Sequence, residues 1–232
     1  MQLSFSGSNN RMDGYSYDAA GNILNDGTHS YTYDAENRIV KVDGGATATY
    51  IYDAEGHSVQ KTISASNNQY ETPGTWNFLY DLNGRLQAEL GSAMTFWRGE
   101  VYAGSRHLAT IWEGDTYYDE QDQVGSDRAR FFVTNDTHQL YNYTSTNLPF
   151  GDWLTWPSTN QSPINFTGQR RDPESGLDDF GARYFGSSLG RFMSPDDPNV
   201  DLDPADPQSW NLYSYVRNNP LDNTDPTGNA CV

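Results

Sequence analysis

Carboxylates dominate the reactive side chains of this sequence: 31 Asp and Glu stand against 14 Lys and Arg, with four histidines and one cysteine. Clustered carboxylates can share protons, and suitably ordered runs of them hold calcium. The run from Asp196 to Asp206 is acidic enough for calcium but lacks the ordered Asp-x-Asp-x-Asp-Gly spacing, so it reads as a solvated loop. His29, His57, His107 and His138 are widely spaced, with no His-x-x-x-His pair and no carboxylate-partner motif. They read as surface or core histidines, and no metal site or cofactor is expected. Cys231 has no local His or basic context and reads as inert; being single, it forms no intrachain disulfide and leaves the redox compartment undetermined.

The elements that would position these groups must come from a polar but aromatic chain. Hydrophobic residues make up only 35%, yet 16 Tyr, 10 Phe and 6 Trp can bury enough area to offset chain entropy. A globular, β-rich product follows. A formal charge of -17 opposes nucleic acid and anionic membranes, because no Lys/Arg cluster offsets it. The first residues carry no basic n-region or apolar h-region, and no apolar run approaches the ~20 residues of a membrane span. No export signal is therefore read in this chain. Because a repeat begins almost at once after Met1, the chain is expected to be a fragment of something longer.

That repeat is aromatic or apolar residue, any residue, Tyr-Asp, two residues, then Gly or Asn. It occurs as Tyr15-Ser16-Tyr17-Asp18 through Asn22, Tyr31-Thr32-Tyr33-Asp34 through Arg38, Tyr50-Ile51-Tyr52-Asp53 through His57, and Phe78-Leu79-Tyr80-Asp81 through Arg85. Alternation places both rings of Tyr-x-Tyr on one strand face, and Asp-x-x-Gly/Asn supplies an Asx-type turn with a residue tolerant of positive φ. Alternation resumes in Arg38-Ile39-Val40-Lys41-Val42 and Arg85-Leu86-Gln87-Ala88-Glu89-Leu90, the returning strands. Each unit is thus a β-hairpin. An isolated hairpin is marginal in water, so successive hairpins must pair edge to edge.

From Met94 onward the pattern degrades but strands remain readable at Thr95–Trp97, His107–Trp112, Arg130–Val133 and Gln139–Tyr143, with turns at Gly114-Asp115 and Asn135-Asp136. A loop from Pro157 to Pro163 then precedes a tail of different composition. Two regions are expected, 1–156 and 157–232.

The tail is more specific than the repeat. The stretch Phe166-Thr167-Gly168-Gln169-Arg170-Arg171-Asp172-Pro173-Glu174-Ser175-Gly176-Leu177 through Gly181-Ala182-Arg183-Tyr184-Phe185, followed by Gly190-Arg191-Phe192-Met193-Ser194-Pro195-Asp196, resembles the RHS repeat-associated core domain. So does the ending, Asn211-Leu212-Tyr213-Ser214-Tyr215-Val216-Arg217-Asn218-Asn219-Pro220 and then Asp225-Pro226-Thr227-Gly228. With the Tyr-Asp repeats in front, the resemblance to RHS/YD-repeat proteins covers essentially the whole chain. It implies an all-β fold: a spiralling antiparallel sheet of YD-repeat hairpins, here a partial RHS shell, with an inward-folded C-terminal core acting as a plug. In bacterial polymorphic toxins, Tc insecticidal complexes and teneurins such shells are the family theme. The implied partners are an upstream RHS shell and a C-terminal toxin or effector cargo, and the implied location is secreted or cell-surface associated.

In several members the core is an aspartyl protease on its own chain, cutting just after an Asp-Pro-x-Gly-Leu signature. The matching residues here are Arg183, Asp196 and Asp225, and the matching cut falls between Asn229 and Ala230. Asn229 stands where the family usually has Leu, a departure at the cut itself. In such a pair one carboxyl keeps a proton while the other activates water, and an arginine stabilises developing charge. The same residues also suit a purely structural plug, since Asp-Pro and Gly recur as turn chemistry at Asp172-Pro173, Asp197-Pro198, Asp203-Pro204 and Asp206-Pro207. Two further readings stay open: a cell-surface adhesion or carbohydrate-binding β scaffold using exposed aromatics, and an acidic protein partner of a basic toxin.

Overall fold

The computed structural model describes residues 4–6, 9–64, 73–133, 140–154, 162–201 and 203–229. The chain is all-β and antiparallel. A first hairpin, β1 (Ser16–Tyr17) with β2 (Ile23–Asn25), is linked by a bridge from Asn25 to Ser30 to an eleven-stranded sheet. That sheet runs in strict sequence order through β3 (Tyr31–Tyr33), β4 (Ile39–Val42), β5 (Ala48–Tyr52), β6 (Ser58–Ile63), β7 (Gly74–Tyr80), β8 (Leu86–Leu90), β9 (Phe96–Ala103), β10 (Arg106–Trp112), β11 (Asp115–Gln121), β12 (Asp127–Val133) and β13 (Leu140–Thr144). A second sheet of four strands follows: β14 (Arg170–Asp172), β15 (Leu177–Asp179), β16 (Tyr184–Gly186) and β17 (Arg191–Phe192). Among the described residues helix is confined to single turns, the α-helical one, α1, being Pro198–Asp201.

The repeats fold as their spacing requires. Tyr31, Tyr50 and Phe78 are buried on one face, with Tyr33, Tyr52 and Tyr80 partly buried beside them, while Ile51 and Leu79 between them are exposed. At each turn the aspartate caps the backbone. Asp34 Oδ1 accepts from the N–H groups of Glu36 and Arg38, and Asp81 Oδ1 from those of Asn83 and Arg85. The fourth turn position has positive φ: Asn37 at 63° and Gly56 at 94°. The second carboxylate oxygen then takes a partner from the residue after that position, as in Asp34 Oδ2 with Arg38 Nε at 2.8 Å and Asp53 Oδ2 with His57 Nδ1 at 3.1 Å.

A fifth copy of this turn lies where the sequence pattern had faded. Asp122 Oδ1 accepts from Val124 and Ser126, Gly125 has positive φ, and Asp122 Oδ2 pairs with Arg128. Gln121 replaces the usual tyrosine, which hides it. The strand β11 before it also departs from expectation, since the sequence reading took Asp115 only as a turn residue. Its inward position is filled by Asp119, and Arg130 on β12 matches that charge, so no apolar alternation marks the strand. The Asn135-Asp136 turn and the division expected at 156/157 lie outside the described residues.

The tail folds back against the aromatic face of the sheet. Tyr31, Tyr50, Ile39 and Val42 share one core cluster with Leu177, Tyr184 and Met193. Lys61, 1% exposed, bridges Asp172 at 3.1 Å and Glu174 at 3.2 Å, and the Tyr50 hydroxyl donates to Glu174 at 2.8 Å. Burial pushes Asp172 up, but Arg170 and Lys61 outweigh it and hold this carboxylate below its usual range. A second cluster, Phe166, Phe180, Phe185, Phe192, Tyr215 and Val216, is internal to the tail.

Candidate functional site

Arg183 sits just before β16, Asp196 just after β17, and Asp225 in the last described turn, so three separate stretches of the tail converge. Asp225 begins an Asp-x-x-Gly turn of the repeat type. Its Oδ1 accepts from the N–H groups of Gly228 at 2.8 Å, Asn229 at 3.1 Å and Thr227 at 3.3 Å. Gly228 has φ of 75°, and a Cβ there would come within 3.0 Å of the Phe180 carbonyl, so glycine is required. The Ala182 N–H to Thr227 carbonyl bond, 3.1 Å, seats the turn on the β15–β16 loop.

Arg183 reads both acids. Its Nη2 donates to Asp196 Oδ2 at 2.7 Å and lies 3.6 Å from Asp225 Oδ2. Its remaining donors bind main chain: Nη1 reaches the Leu212 carbonyl at 3.1 Å, and Nε donates to the Gly228 carbonyl, one peptide ahead of Asn229. The guanidinium also lies 3.7 Å above the Phe192 ring. Asp196 is fixed by its N–H to the Leu212 carbonyl and by the Asp197 N–H on its Oδ1. Burial raises Asp196 above the ordinary carboxylate range; Arg183 pulls the other way, and Asp225 adds to the rise. Burial likewise lowers Arg183, against the pull of the two aspartates.

This cluster opens to a cleft of about 280 Å³ lined by Arg183, Asp196, Asp197 and Asn229 on the tail side and by the β3–β4 and β5–β6 turns, Glu36–Arg38 and Ala54–Gly56, on the sheet side. Asn229 is exposed at its rim, and Ala230 lies outside the described residues. The three residues singled out by type in the sequence thus share one place. Sequence reading did not reach the main-chain carbonyls of Leu212 and Gly228 or the Phe192 face, because main-chain acceptors leave no mark on residue identity.

The histidines have partners that no sequence motif marked. Each described one faces a carboxylate: His29 with Asp43 at 2.7 Å, His57 with Asp53 at 3.1 Å, and His107 with Glu100 at 2.8 Å. Only the His57 partner lies on the same hairpin turn, which is why spacing along the chain did not expose the others. His138 and Cys231 lie outside the described residues. No helix among the described residues is long and apolar enough to cross a membrane.

No family model matches the chain. It is 30% identical over 222 residues to the tRNA3(Ser)-specific nuclease WapA of Bacillus spizizenii, covering 92% of this chain but 9% of that protein. It is 37% identical over 215 residues to toxin subunit YenC2 of Yersinia entomophaga, covering 83% of this chain and 21% of that one. The chain therefore spans a small part of the curated relatives it matches. Among solved structures, the crystal structure of TcdB2–TccC3–Cdc42 superposes with a TM-score of 0.72 at 24% identity, over 98% of this chain and 12% of that one, a likeness of fold.

Proposed function

We propose that this chain is a segment of an RHS/YD-repeat toxin protein, in which residues 1–156 form part of an encapsulating wall and residues 157–232 form the core that plugs it. The resemblance to WapA and YenC2 and the shared fold with the TccC3-containing complex support this reading. So does the docking of the tail on the aromatic face of the hairpin sheet through Lys61 and Tyr50. In this role the wall continues into an upstream shell, a C-terminal effector lies beyond the core, and the whole protein acts outside the producing cell.

The core then acts on its own chain between Asn229 and Ala230. The observation that carries this is the meeting of Asp196 and Asp225 at one guanidinium nitrogen, with Asn229 at the rim of the same cleft. One carboxylate takes a proton from water as the water oxygen adds to the Asn229 carbonyl carbon. The other gives its proton to the Ala230 nitrogen as the C–N bond breaks. Arg183 holds the approach by gripping the Gly228 carbonyl and balances negative charge on the pair.

A chain extended past Val232 by a folded reporter, followed by intact mass, tests the activity. Slow release is expected from the natural sequence, faster release from Asn229→Leu, and none from Asp196→Asn or Asp225→Asn. Release that persists in both Asp variants rules out the carboxylate pair; no release from Asn229→Leu leaves the core a structural plug.

A further inference from the structure

Outside the Arg183 cluster, the strands β9 to β12 turn an unusual set of side chains inward. Glu100, His107, Thr110, Asp119, Asp127 and Arg130 are all at most 6% exposed. Three buried carboxylates face one guanidinium, Arg130, whose fork is spent on Asp119 and Thr110. The set thus holds three carboxylates against one guanidinium, an excess of acid that a buried environment tolerates poorly.

The hydrogen bonds fix the tautomer. Glu100 Oε2 lies 2.8 Å from His107 Nε2 and also accepts from the Thr110 hydroxyl at 2.8 Å, so the imidazole proton belongs on Nε2. His107 Nδ1 is buried and without a hydrogen-bond partner, 3.7 Å from Asp119 Oδ2. Both oxygens of Asp127 are likewise buried, with the Ser162 side chain beside the carboxylate. One ligand atom from each of His107, Asp119 and Asp127 can be chosen so that all lie within 4.8 Å of one another. Donors around a tetrahedral zinc with bonds of about 2.0–2.1 Å stand about 3.3 Å apart, so small rotamer shifts close the set. A carboxylate behind a metal-binding histidine, here Glu100, is the usual device for aiming its free nitrogen.

We propose that His107 Nδ1, Asp119 and Asp127 bind a structural divalent cation of the zinc class. Imidazole nitrogen with two carboxylates suits zinc better than calcium or magnesium, which prefer all-oxygen sets. Three protein ligands leave a fourth position for water, and His107 also lines a cleft of about 630 Å³. The ion clasps adjacent strands where the tail begins to dock: the Asp127 N–H donates to the Asn165 carbonyl, and the neighbouring Ser126 hydroxyl accepts from the Thr167 N–H.

The full chain without an affinity tag is stripped with chelator, titrated with Zn²⁺ by calorimetry, and analysed for retained metal after gel filtration. One tightly held zinc per chain is expected, together with a rise in Tm on its addition. The Asp127→Asn and His107→Gln variants should lose that ion, whereas Asp196→Asn should keep it. Because core substitutions can disturb folding, Co²⁺ added to the natural sequence gives an independent reading: the intense visible bands of a tetrahedral site are expected. No retained zinc and no such bands, with Tm indifferent to metal, would mean that protons rather than an ion neutralise the cluster, and the proposal fails. Equal retention by folded Asp127→Asn and His107→Gln also overturns it.

Discussion

Arg183 stands to Asp225 as Arg38 stands to Asp34. In both turns Oδ1 caps the backbone of an Asp-x-x-Gly/Asn stretch while Oδ2 faces a guanidinium, at 3.6 Å for Arg183 and 2.7 Å for Arg38. The difference lies in where the cation comes from. Arg38 is the residue after its own turn, whereas the place after the Asp225 turn holds Asn229, and the cation arrives from the β15–β16 loop. The last turn is thereby tied to the tail sheet, and the same nitrogen brings in Asp196.

Removing that cation leaves the buried Asp225 carboxylate and the half-buried Asp196 without their shared partner. The Arg183→Met variant should lose about 3–5 kcal/mol of stability, the range found when one partner of a buried ion pair is deleted. Arg183→Lys should recover only part of it, because an ammonium cannot span Asp196, Leu212 and Gly228 together. Urea unfolding of the three proteins, with hydrogen exchange of the Gly228 and Asn229 amides, measures both effects.

The repeat turns predict a milder, graded response. Asp34→Ala removes the oxygen that accepts from two N–H groups and the Arg38 ion pair on a partly exposed turn, and should cost about 1–2 kcal/mol. Asp34→Asn keeps Oδ1 and should cost less than half as much. Equal losses in thermal or urea unfolding would show that the charge, and not the cap, holds the turn.

Lys61 joins the wall to the tail. Its replacement by Met should destabilise by about 3 kcal/mol, since Asp172 and Glu174 remain buried with one cation fewer. Lys61→Met combined with Glu174→Gln should recover part of the loss. A double-mutant cycle by urea unfolding isolates the coupling.

Asp43 supplies a dependence on acid. Burial, the largest single effect, raises it, but bonds from the Thr47 hydroxyl, the Ser30 N–H and His29 together outweigh that and bring it down to about 2. A depressed carboxylate stabilises the fold above its unfolded value of about 4 and loses that contribution as pH falls through about 2. The stability gap between the natural chain and Asp43→Asn should therefore be full at pH 5 and close between pH 4 and pH 2. Unfolding midpoints across that range check it; a gap independent of pH would assign the effect to packing.

Much of the wall was legible because its signals are local. Tyr-x-Tyr followed by Asp-x-x-Gly specifies strand face and turn within a few residues, and four hairpins folded as that spacing required. The Asp122 turn escaped because a glutamine replaced its tyrosine, and β11 escaped because Asp119 and Arg130 substitute charge for apolar alternation.

What the sequence by itself determined is the meander: alternation and Asx turns decide strand direction and pairing with the next hairpin, and neither needs a distant residue. What only the tertiary structure decided is which of the 31 acids share a cation and which stay unmatched. Asp196 and Asp225 meet at Arg183, and His107 meets Glu100, Asp119 and Asp127, through burial that no spacing along the chain records. Charges interact strongly only where folding removes water from between them, and that depends on how the strands and the tail close over one another.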